Sequence, residues 1–310
     1  MAEKAIVAVI QAGTSLFNTP QTMEKVEHYC RQAGQAGAQL AVFPEAFVGG
    51  YPKGIGFGAH VGSRSDAGRE QFRRYFECAI DAAGPESVRL SEIAADHHLY
   101  LVIGVIERAG ATLYCSAFFY GPEGKLVTKH RKLMPTASER LIWGQGDGST
   151  MPVVSTNFGT LGAAICWENY MPLFRAAMYA KGVNLWCVPT VDDRLTWPAT
   201  MQHIAIEGRC FVLSACQYLL RSDCPADYDP IQGNLPDTQL IKGGSMIISP
   251  LGQVLAGPLR DAEGILTAEL DLKDIVRGKF DLDAVGHYAR PDVFSLSVNE
   301  KQNDAVHFEL

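Results

Sequence analysis

The chain has 310 residues, 47% of them hydrophobic, and its 34 acidic and 27 basic residues give a formal net charge of −7. This length can fill one large core or two smaller ones. The acidic balance and the lack of a basic face argue against nucleic-acid binding. No apolar run approaches the roughly 18 residues of a membrane span, and Ala5–Ile10 is too short for the apolar part of a signal peptide. We therefore expect a cytoplasmic protein without nucleic-acid or membrane partners.

Short apolar runs alternate with amphipathic stretches along the first half, which predicts a layered α/β fold. Strands are predicted at Ala5–Gln11, Leu40–Phe43, Tyr100–Glu107, Leu113–Tyr120 and Lys125–His130. Helices are predicted at Thr22–Gly37, Glu70–Ala83 and Pro85–His97. A long loop rich in glycine and aromatic residues is predicted at Gly49–Gly68. The turn signal Gly121-Pro122-Glu123-Gly124 makes the last two strands a hairpin.

The second half repeats this pattern. Strands are predicted at Thr160–Ile165, Val183–Val188, Cys210–Cys216, Ser245–Ile248, Gln253–Ala256 and Gly264–Leu270. Helices are predicted at Pro172–Lys181 and Pro198–Gly208, and a surface loop at Ser222–Lys242. No linker of low complexity separates the halves, so we expect one domain of two packed sheets over residues 1–280. We expect the tail over residues 281–310 to contact another copy of the chain.

The eight cysteines show no C-x-x-C spacing, and most of them lie in apolar runs. Such cysteines are usually buried free thiols in a cytoplasmic protein. The absence of paired cysteine and histidine spacing also argues against a structural metal site. Composition alone does not separate one of these thiols from the others. They are Cys30, Cys78, Cys115, Cys166, Cys187, Cys210, Cys216 and Cys224.

Three reactive side chains follow the ends of predicted strands: Glu45, Lys132 and Cys166. Taken singly, the first two are ordinary surface charges and the third an ordinary core thiol. In α/β sheets, however, reactive groups gather in the crevice beyond the strand ends. A free thiol is mostly protonated at neutral pH. A carboxylate can take its proton, and an ammonium group can stabilise the thiolate and the charge that develops on the substrate. The three residues together predict nucleophilic catalysis by a cysteine.

Three segments of the sequence resemble those that carry the catalytic residues of nitrilases. The resemblance extends from about Ala5 into the tail at Gly286-His287-Tyr288 and therefore covers nearly the whole chain. The three segments occur in the family's order. They are Phe43-Pro44-Glu45, the run from His130-Arg131-Lys132 to Gly146-Asp147-Gly148, and Cys166-Trp167-Glu168-Asn169-Tyr170-Met171-Pro172-Leu173.

The resemblance implies the fold of the carbon–nitrogen hydrolases, a four-layer αββα sandwich. It implies that Cys166 is the nucleophile, Glu45 the general base, and Lys132 the group that stabilises the tetrahedral intermediate. Glu139 matches a second glutamate that orients the lysine or positions the substrate, and the backbone N–H of Trp167 completes the oxyanion hole. Nitrilases pair through helices near the nucleophile, and the dimers stack into spirals or filaments, so we expect a homo-oligomer.

The reaction implied by the resemblance converts an organic nitrile to a carboxylic acid and ammonia. The Cys166 thiolate adds to the nitrile carbon to give a thioimidate, and hydrolysis then passes through a thioester. No step needs a metal or an organic cofactor. Three alternatives stay open. The same reaction could release an amide instead of the acid. The same residues could hydrate or dihydrate cyanide or hydrolyse an amide, or the chain could be a catalytically silent scaffold.

Several other residues have two explanations from the sequence. Trp197 and Met201 lie near the start of a predicted helix and fit a substrate pocket as well as an ordinary core. Glu168 follows the nucleophile and could be confused with the base, but we expect it to cap the helix that starts near Met171-Pro172. His130, His203 and His287 could each suggest a cysteine–histidine pair, but the resemblance gives none of them that role.

Overall fold

The computed structural model describes residues 3–306, which form thirteen strands and six α-helices. The strands are β1 (Lys4–Gln11), β2 (Leu40–Val42), β3 (Tyr100–Ala109), β4 (Thr112–Gly121), β5 (Lys125–Arg131), β6 (Val154–Thr156), β7 (Gly159–Ala163), β8 (Leu185–Thr190), β9 (Phe211–Cys216), β10 (Tyr218–Leu220), β11 (Gln239–Ile248), β12 (Val254–Arg260) and β13 (Gly264–Asp271). The helices are α1 (Thr19–Gln35), α2 (Asp66–Cys78), α3 (Pro85–Asp96), α4 (Pro172–Ala180), α5 (Trp197–Gly208) and α6 (Lys273–Gly278).

The strands form two mixed sheets. The first sheet has the order β13-β1-β2-β3-β4-β5, and the second has the order β10-β11-β9-β8-β7-β6 with β12 paired to β11. Strands β1, β2 and β3 run parallel, as do β7, β8 and β9, whereas β3, β4 and β5 form an antiparallel meander. The predicted hairpin of β4 and β5 is therefore confirmed.

Each sheet is apolar on both faces because each face packs against another layer. In β1, Val7 and Val9 belong to the cluster between the sheets, whereas Ala8 and Ile10 pack under α1 and α3. This follows from the alternation of side chains along a strand. Helices α4 and α5 cover the outer face of the second sheet, where Met178 and Met201 pack. The layers are helix, sheet, sheet and helix, so the predicted αββα sandwich is confirmed.

The differences from the predicted elements lie at element ends and in short strands. Helix α1 begins at Thr19, three residues before the predicted start, because Asn18 caps it by accepting the N–H of Gln21 at 3.2 Å. Strands β6 and β10 were not predicted, since three residues are too few to show a period. Strand β11 begins at Gln239, inside the predicted loop, and helix α6 was also missed.

The described part of the tail after Phe280 contains no helix or strand, and part of it lies beside α4, with which it lines a shared cavity. Glu300 forms an ion pair with Lys181 at the end of α4, and the N–H of Asn303 donates to Asp147 at 2.8 Å. Within residues 3–306, no helix is long and apolar enough to cross a membrane. All eight cysteines are unpaired, and seven of them are buried.

Candidate active site

The three strand-end residues predicted from the sequence meet between the two sheets. Glu45 follows β2 and Lys132 follows β5 in the first sheet, while Cys166 lies three residues after β7 in the second. The Nζ of Lys132 donates to Oε1 of Glu45 at 2.7 Å, and both side chains are fully buried. The charges of Glu45 and Lys132 both act on the Cys166 thiol. The fold therefore assembles a thiol, a carboxylate and an ammonium group.

Cys166 opens a short 3₁₀ turn, Cys166–Tyr170, and has a left-handed backbone with φ of 51°. A residue other than glycine adopts this conformation only where its surroundings enforce it. Asn169 does so here, because its amide donates to the carbonyl of Cys166 at 2.8 Å and to that of Ala164 at 3.0 Å. The indole of Trp186 fixes this amide by donating to its oxygen at 2.8 Å. The turn thus presents the thiol at one fixed position.

The Cys166 thiol is neutral in the resting protein. Burial raises its pKa, the charge of Glu45 raises it further, and Lys132 and a hydrogen bond from Thr190 lower it, with a net pKa well above the ordinary value. The Thr190 hydroxyl donates to the Cys166 sulfur at 3.2 Å. A thiol in this environment becomes a nucleophile only when a base takes its proton during the attack.

Glu45 is equipped to accept that proton. Burial raises the pKa of its carboxyl group, and Lys132 opposes this shift without cancelling it. Its Oε1 accepts hydrogen bonds from Lys132 and, at 3.6 Å, from the Cys115 thiol. Its Oε2 is buried and has no hydrogen-bond partner within residues 3–306. This oxygen therefore has lone pairs that are not used by the protein and can accept a proton.

Lys132 remains a cation despite its burial. Burial lowers the pKa of its ammonium group, but the nearby carboxylates, Glu45 first and then Glu139, raise it and hold it above its ordinary value. The ammonium also lies 5.7 Å from the centre of the Trp143 ring. The site therefore keeps a fixed positive charge, which is what charge developing on a bound substrate requires.

Glu139 is the second carboxylate that contacts Lys132. Its Oε2 accepts hydrogen bonds from the ammonium of Lys132 at 2.8 Å and from the N–H of Thr136 at 2.6 Å. Its Oε1 accepts a hydrogen bond from the hydroxyl of Tyr51 at 2.7 Å. Lys132 is thus held by two carboxylates. The arrangement fits the predicted role of orienting the lysine, and Glu139 also faces the cavity beside the thiol.

A cavity of about 190 Å³ opens next to the thiol. Its wall carries charges of both signs, and Trp167 forms part of it. The Trp167 indole donates to Asp192 at 2.9 Å, and Arg194 lies 4.6 Å from the centre of its ring. The lining residues are Tyr51, Lys53, Thr136, Glu139, Cys166, Trp167, Val191, Asp192, Asp193 and Arg194.

Trp197 and Met201 do not line this cavity. Both are buried in the core between α5 and the second sheet, and the Trp197 indole donates to Ser214 at 3.1 Å. Their placement supports the core alternative of the sequence analysis over the substrate-binding one. Glu168 caps the nucleophile turn through the N–H of Ile165 at 2.7 Å and does not cap α4.

Thr190, Gln217 and the role of Tyr51 were missed from the sequence. Thr190 ends β8, so the signal that identified Cys166 would have found it had the strand been predicted to its true end. Gln217 donates to the carbonyl of Glu45 at 2.8 Å and fixes the backbone of the candidate base. No sequence pattern marks Gln217. Within residues 3–306 there is no cluster of three or more histidine, cysteine, aspartate or glutamate side chains that could hold a metal ion.

Residues 6–280 match the carbon–nitrogen hydrolase family. The chain belongs to this family. It is 54% identical over 305 residues to nitrilase 2 of Arabidopsis thaliana, with 97% of this chain and 90% of the relative covered. It is 53% identical over 305 residues to a bifunctional nitrilase/nitrile hydratase of Lupinus angustifolius, with 97% and 87% covered. These relatives confirm the resemblance to nitrilases.

A solved structure shows the same fold in this family. The nitrilase-superfamily protein Nit3 of Saccharomyces cerevisiae superposes with a TM-score of 0.69 over 93% of this chain and 97% of the other, at 21% identity. The sandwich architecture of carbon–nitrogen hydrolases is therefore shared at an identity too low to carry a shared substrate.

Proposed function

We propose that this protein is a nitrilase that hydrolyses an organic nitrile to a carboxylic acid and ammonia, with Cys166 as the nucleophile. The observation that carries the assignment of roles is the buried Cys166 thiol beside the buried carboxylate of Glu45, whose Oε2 has no hydrogen-bond partner within residues 3–306. Lys132 supplies the positive charge beside them. The nitrilases that are more than 50% identical to this chain support a nitrile as the substrate.

The reaction begins when the Cys166 sulfur attacks the nitrile carbon and its proton passes to Glu45. The nitrile nitrogen gains a proton as the carbon–sulfur bond forms, and the product is a thioimidate. General-base help of this kind contributes about 10²–10⁴-fold in rate. The ammonium of Lys132 stabilises the charge on the reacting atoms, and we assign the backbone N–H of Trp167 to the same task.

Water then adds to the thioimidate carbon after giving a proton to Glu45. The tetrahedral intermediate expels ammonia, once its nitrogen is protonated, and leaves a thioester on Cys166. A second water attacks the thioester in the same way, the carboxylic acid departs and the thiol regains its proton. The sum is one nitrile and two waters giving one acid and one ammonia, with each proton carried by Glu45. In this scheme Glu139 holds Lys132 in place.

Release of an amide is the second candidate outcome. If the thiol leaves the first tetrahedral intermediate before ammonia does, the product is an amide and one water is consumed. The similarity to a relative named as a bifunctional nitrilase/nitrile hydratase supports this second outcome. Cyanide hydratase, cyanide dihydratase and amidase activities would use the same three residues, and formamide from cyanide or turnover of amides alone would identify them.

The decisive experiment is a panel of aliphatic, aromatic and arylacetonitrile substrates with ammonia, acid and amide quantified separately. Cys166→Ala should abolish turnover, whereas Cys30→Ala, which removes a buried thiol on the inner face of α1, should retain it. Turnover by Cys166→Ala would contradict the proposal. A catalytically silent scaffold would be indicated if an electrophile labelled Cys166 no faster than the other seven thiols at neutral pH.

We also propose that residues 1–280 form the single catalytic domain and that the tail over residues 281–310 is an oligomer contact. Exposed apolar side chains in the tail support this role, since Tyr288 and Phe294 are 67% and 77% exposed. Exposed Leu173 beside the nucleophile turn supports pairing of copies through the helices there, with dimers stacking further into a spiral or filament. The unpaired cysteines support a cytoplasmic location, where thiols stay reduced.

A further inference from the structure

Two ionisable side chains are buried directly behind the candidate catalytic residues. His130 lies on β5, two residues before Lys132, and Glu168 lies in the 3₁₀ turn, two residues after Cys166. Both are fully buried, and neither lines the cavity next to the thiol. The Nε2 of His130 lies 2.9 Å and 3.1 Å from the two carboxylate oxygens of Glu168.

The hydrogen bonds of this pair define its protonation. The Nδ1 of His130 faces the carbonyl oxygen of Thr150, which can only accept, so Nδ1 carries a proton. Both oxygens of Glu168 accept backbone N–H groups, from Leu133 at 2.6 Å and from Ile165 at 2.7 Å, which stabilises the ionised form that a glutamate has at neutral pH. The Nε2 between these oxygens must then donate as well. His130 is therefore an imidazolium paired with a buried carboxylate.

The carboxylate connects two segments that come from different sheets. Leu133 directly follows Lys132, and Ile165 directly precedes Cys166. One oxygen of Glu168 holds the first segment and the other holds the second. Glu168 thus fixes the spacing between the ammonium and the thiol without contacting the substrate cavity.

We propose that the Glu168–His130 ion pair is a positioning device that sets the distance between Lys132 and Cys166. The inference rests on the proposed function for the roles of those two residues. The left-handed backbone of Cys166 explains why such a device is needed, since a strained turn persists only when its surroundings define it. The imidazolium compensates the charge of the buried carboxylate, so that the carboxylate can hold the two backbone N–H groups inside the core.

The test compares Glu168→Gln with Glu107→Gln. Glutamine at 168 turns one acceptor into a donor that faces an N–H group, so one of the two segments is released. Glu107 is an equally buried carboxylate that pairs with Lys129 and Arg131 on the same strand β5 but does not contact the nucleophile turn. It therefore controls for the loss of a buried charge on this strand.

We expect Glu168→Gln to lower kcat by about 10- to 100-fold, because a displacement of about 1 Å at a reacting group costs this much. KM should stay within about threefold of that of the unmodified protein, since the contacts with the bound substrate in its ground state are unchanged. The rate of Cys166 alkylation by iodoacetamide should fall in the same proportion as kcat. Glu107→Gln should lower the unfolding temperature yet keep kcat and the alkylation rate within about twofold of the unmodified protein.

A second variant keeps the test decisive if Glu168→Gln does not fold. His130→Gln retains a donor toward Glu168 and both backbone hydrogen bonds, so we expect a smaller loss, of about tenfold, in kcat and in alkylation. Unchanged kcat and alkylation in the folded variants would overturn the positioning role. If the unmodified protein hydrolyses no nitrile, the proposed function fails, but the alkylation rates still decide the role of the ion pair.

Discussion

The hydroxyl of Tyr51 donates a hydrogen bond to Glu139 at 2.7 Å, and Glu139 also accepts a hydrogen bond from the ammonium of Lys132 at 2.8 Å. This chain of two hydrogen bonds links the long loop after β2 to the positive charge of the site. Lys132 has a second carboxylate partner in Glu45. Glu139 is thus held at one oxygen by the partly buried phenol of Tyr51 and holds the lysine with the other, which restricts the ammonium to one position.

Tyr51→Phe should lower kcat by about tenfold, the size expected for a lost hydrogen bond to a charged group. If Glu139 orients Lys132, the loss falls on kcat with KM little changed. If Glu139 positions the substrate, KM rises instead. The matched control is Tyr29→Phe, which removes a hydroxyl that donates to Glu263 on the outer face of the first sheet. Equal kinetics for both variants would contradict a role for Tyr51.

Thr190→Val should move the reactivity of Cys166 to higher pH. The Thr190 hydroxyl donates to the sulfur at 3.2 Å and lowers the thiol pKa, so its loss raises that pKa further. We expect the pH profile of Cys166 alkylation to shift upward by up to about one unit, which corresponds to one hydrogen bond. Thr190→Ser keeps the hydroxyl and should keep the profile. A shift in the serine variant, or none in the valine variant, would count against this contact.

The three candidate catalytic residues could be predicted because each follows a strand, and strand ends are visible as breaks in apolar runs. Thr190 is the last residue of β8 and was missed, since this strand continues through Pro189 in buried surroundings and its end shows no break in the sequence. The His130–Glu168 contact could not be predicted, because 38 residues and two sheets separate its partners. The role of Trp197 could not be predicted either, since a tryptophan in an apolar segment fits a core and a substrate pocket equally well.

The buried Glu107 gives a prediction for acid stability. Burial raises the pKa of its carboxyl group, but hydrogen bonds from Arg131 and Lys129 outweigh burial and leave the pKa below the ordinary value. A lowered pKa stabilises the fold above the unfolded-state pKa of about 4.3 and loses this contribution as pH falls through the folded-state value.

Glu107→Gln should therefore reduce the free energy of unfolding by about 3 kcal/mol at pH 7, since two cations lose their buried partner. The gap to the unmodified protein should narrow as the pH falls below about 4.3, where protonation removes the same charge. Urea unfolding at a series of pH values measures both. A gap that stays constant down to pH values near 3 would show that packing, and not the charge, causes the loss.

Truncation after Phe280 should shrink the particle. The described tail presents exposed apolar side chains such as Phe294, and it is tied to its own domain mainly near Asp147 and Lys181. Exposed apolar surface of this kind favours association with another copy. Size-exclusion chromatography with light scattering should therefore report a smaller assembly for the truncated chain. The control is Lys181→Ala, which removes the ion pair with Glu300 but leaves the apolar side chains in place. If the truncated chain kept the same number of copies in the assembly, other surfaces would form the contacts. The exposed Leu173 beside the nucleophile turn would then be the next residue to replace by a charged one.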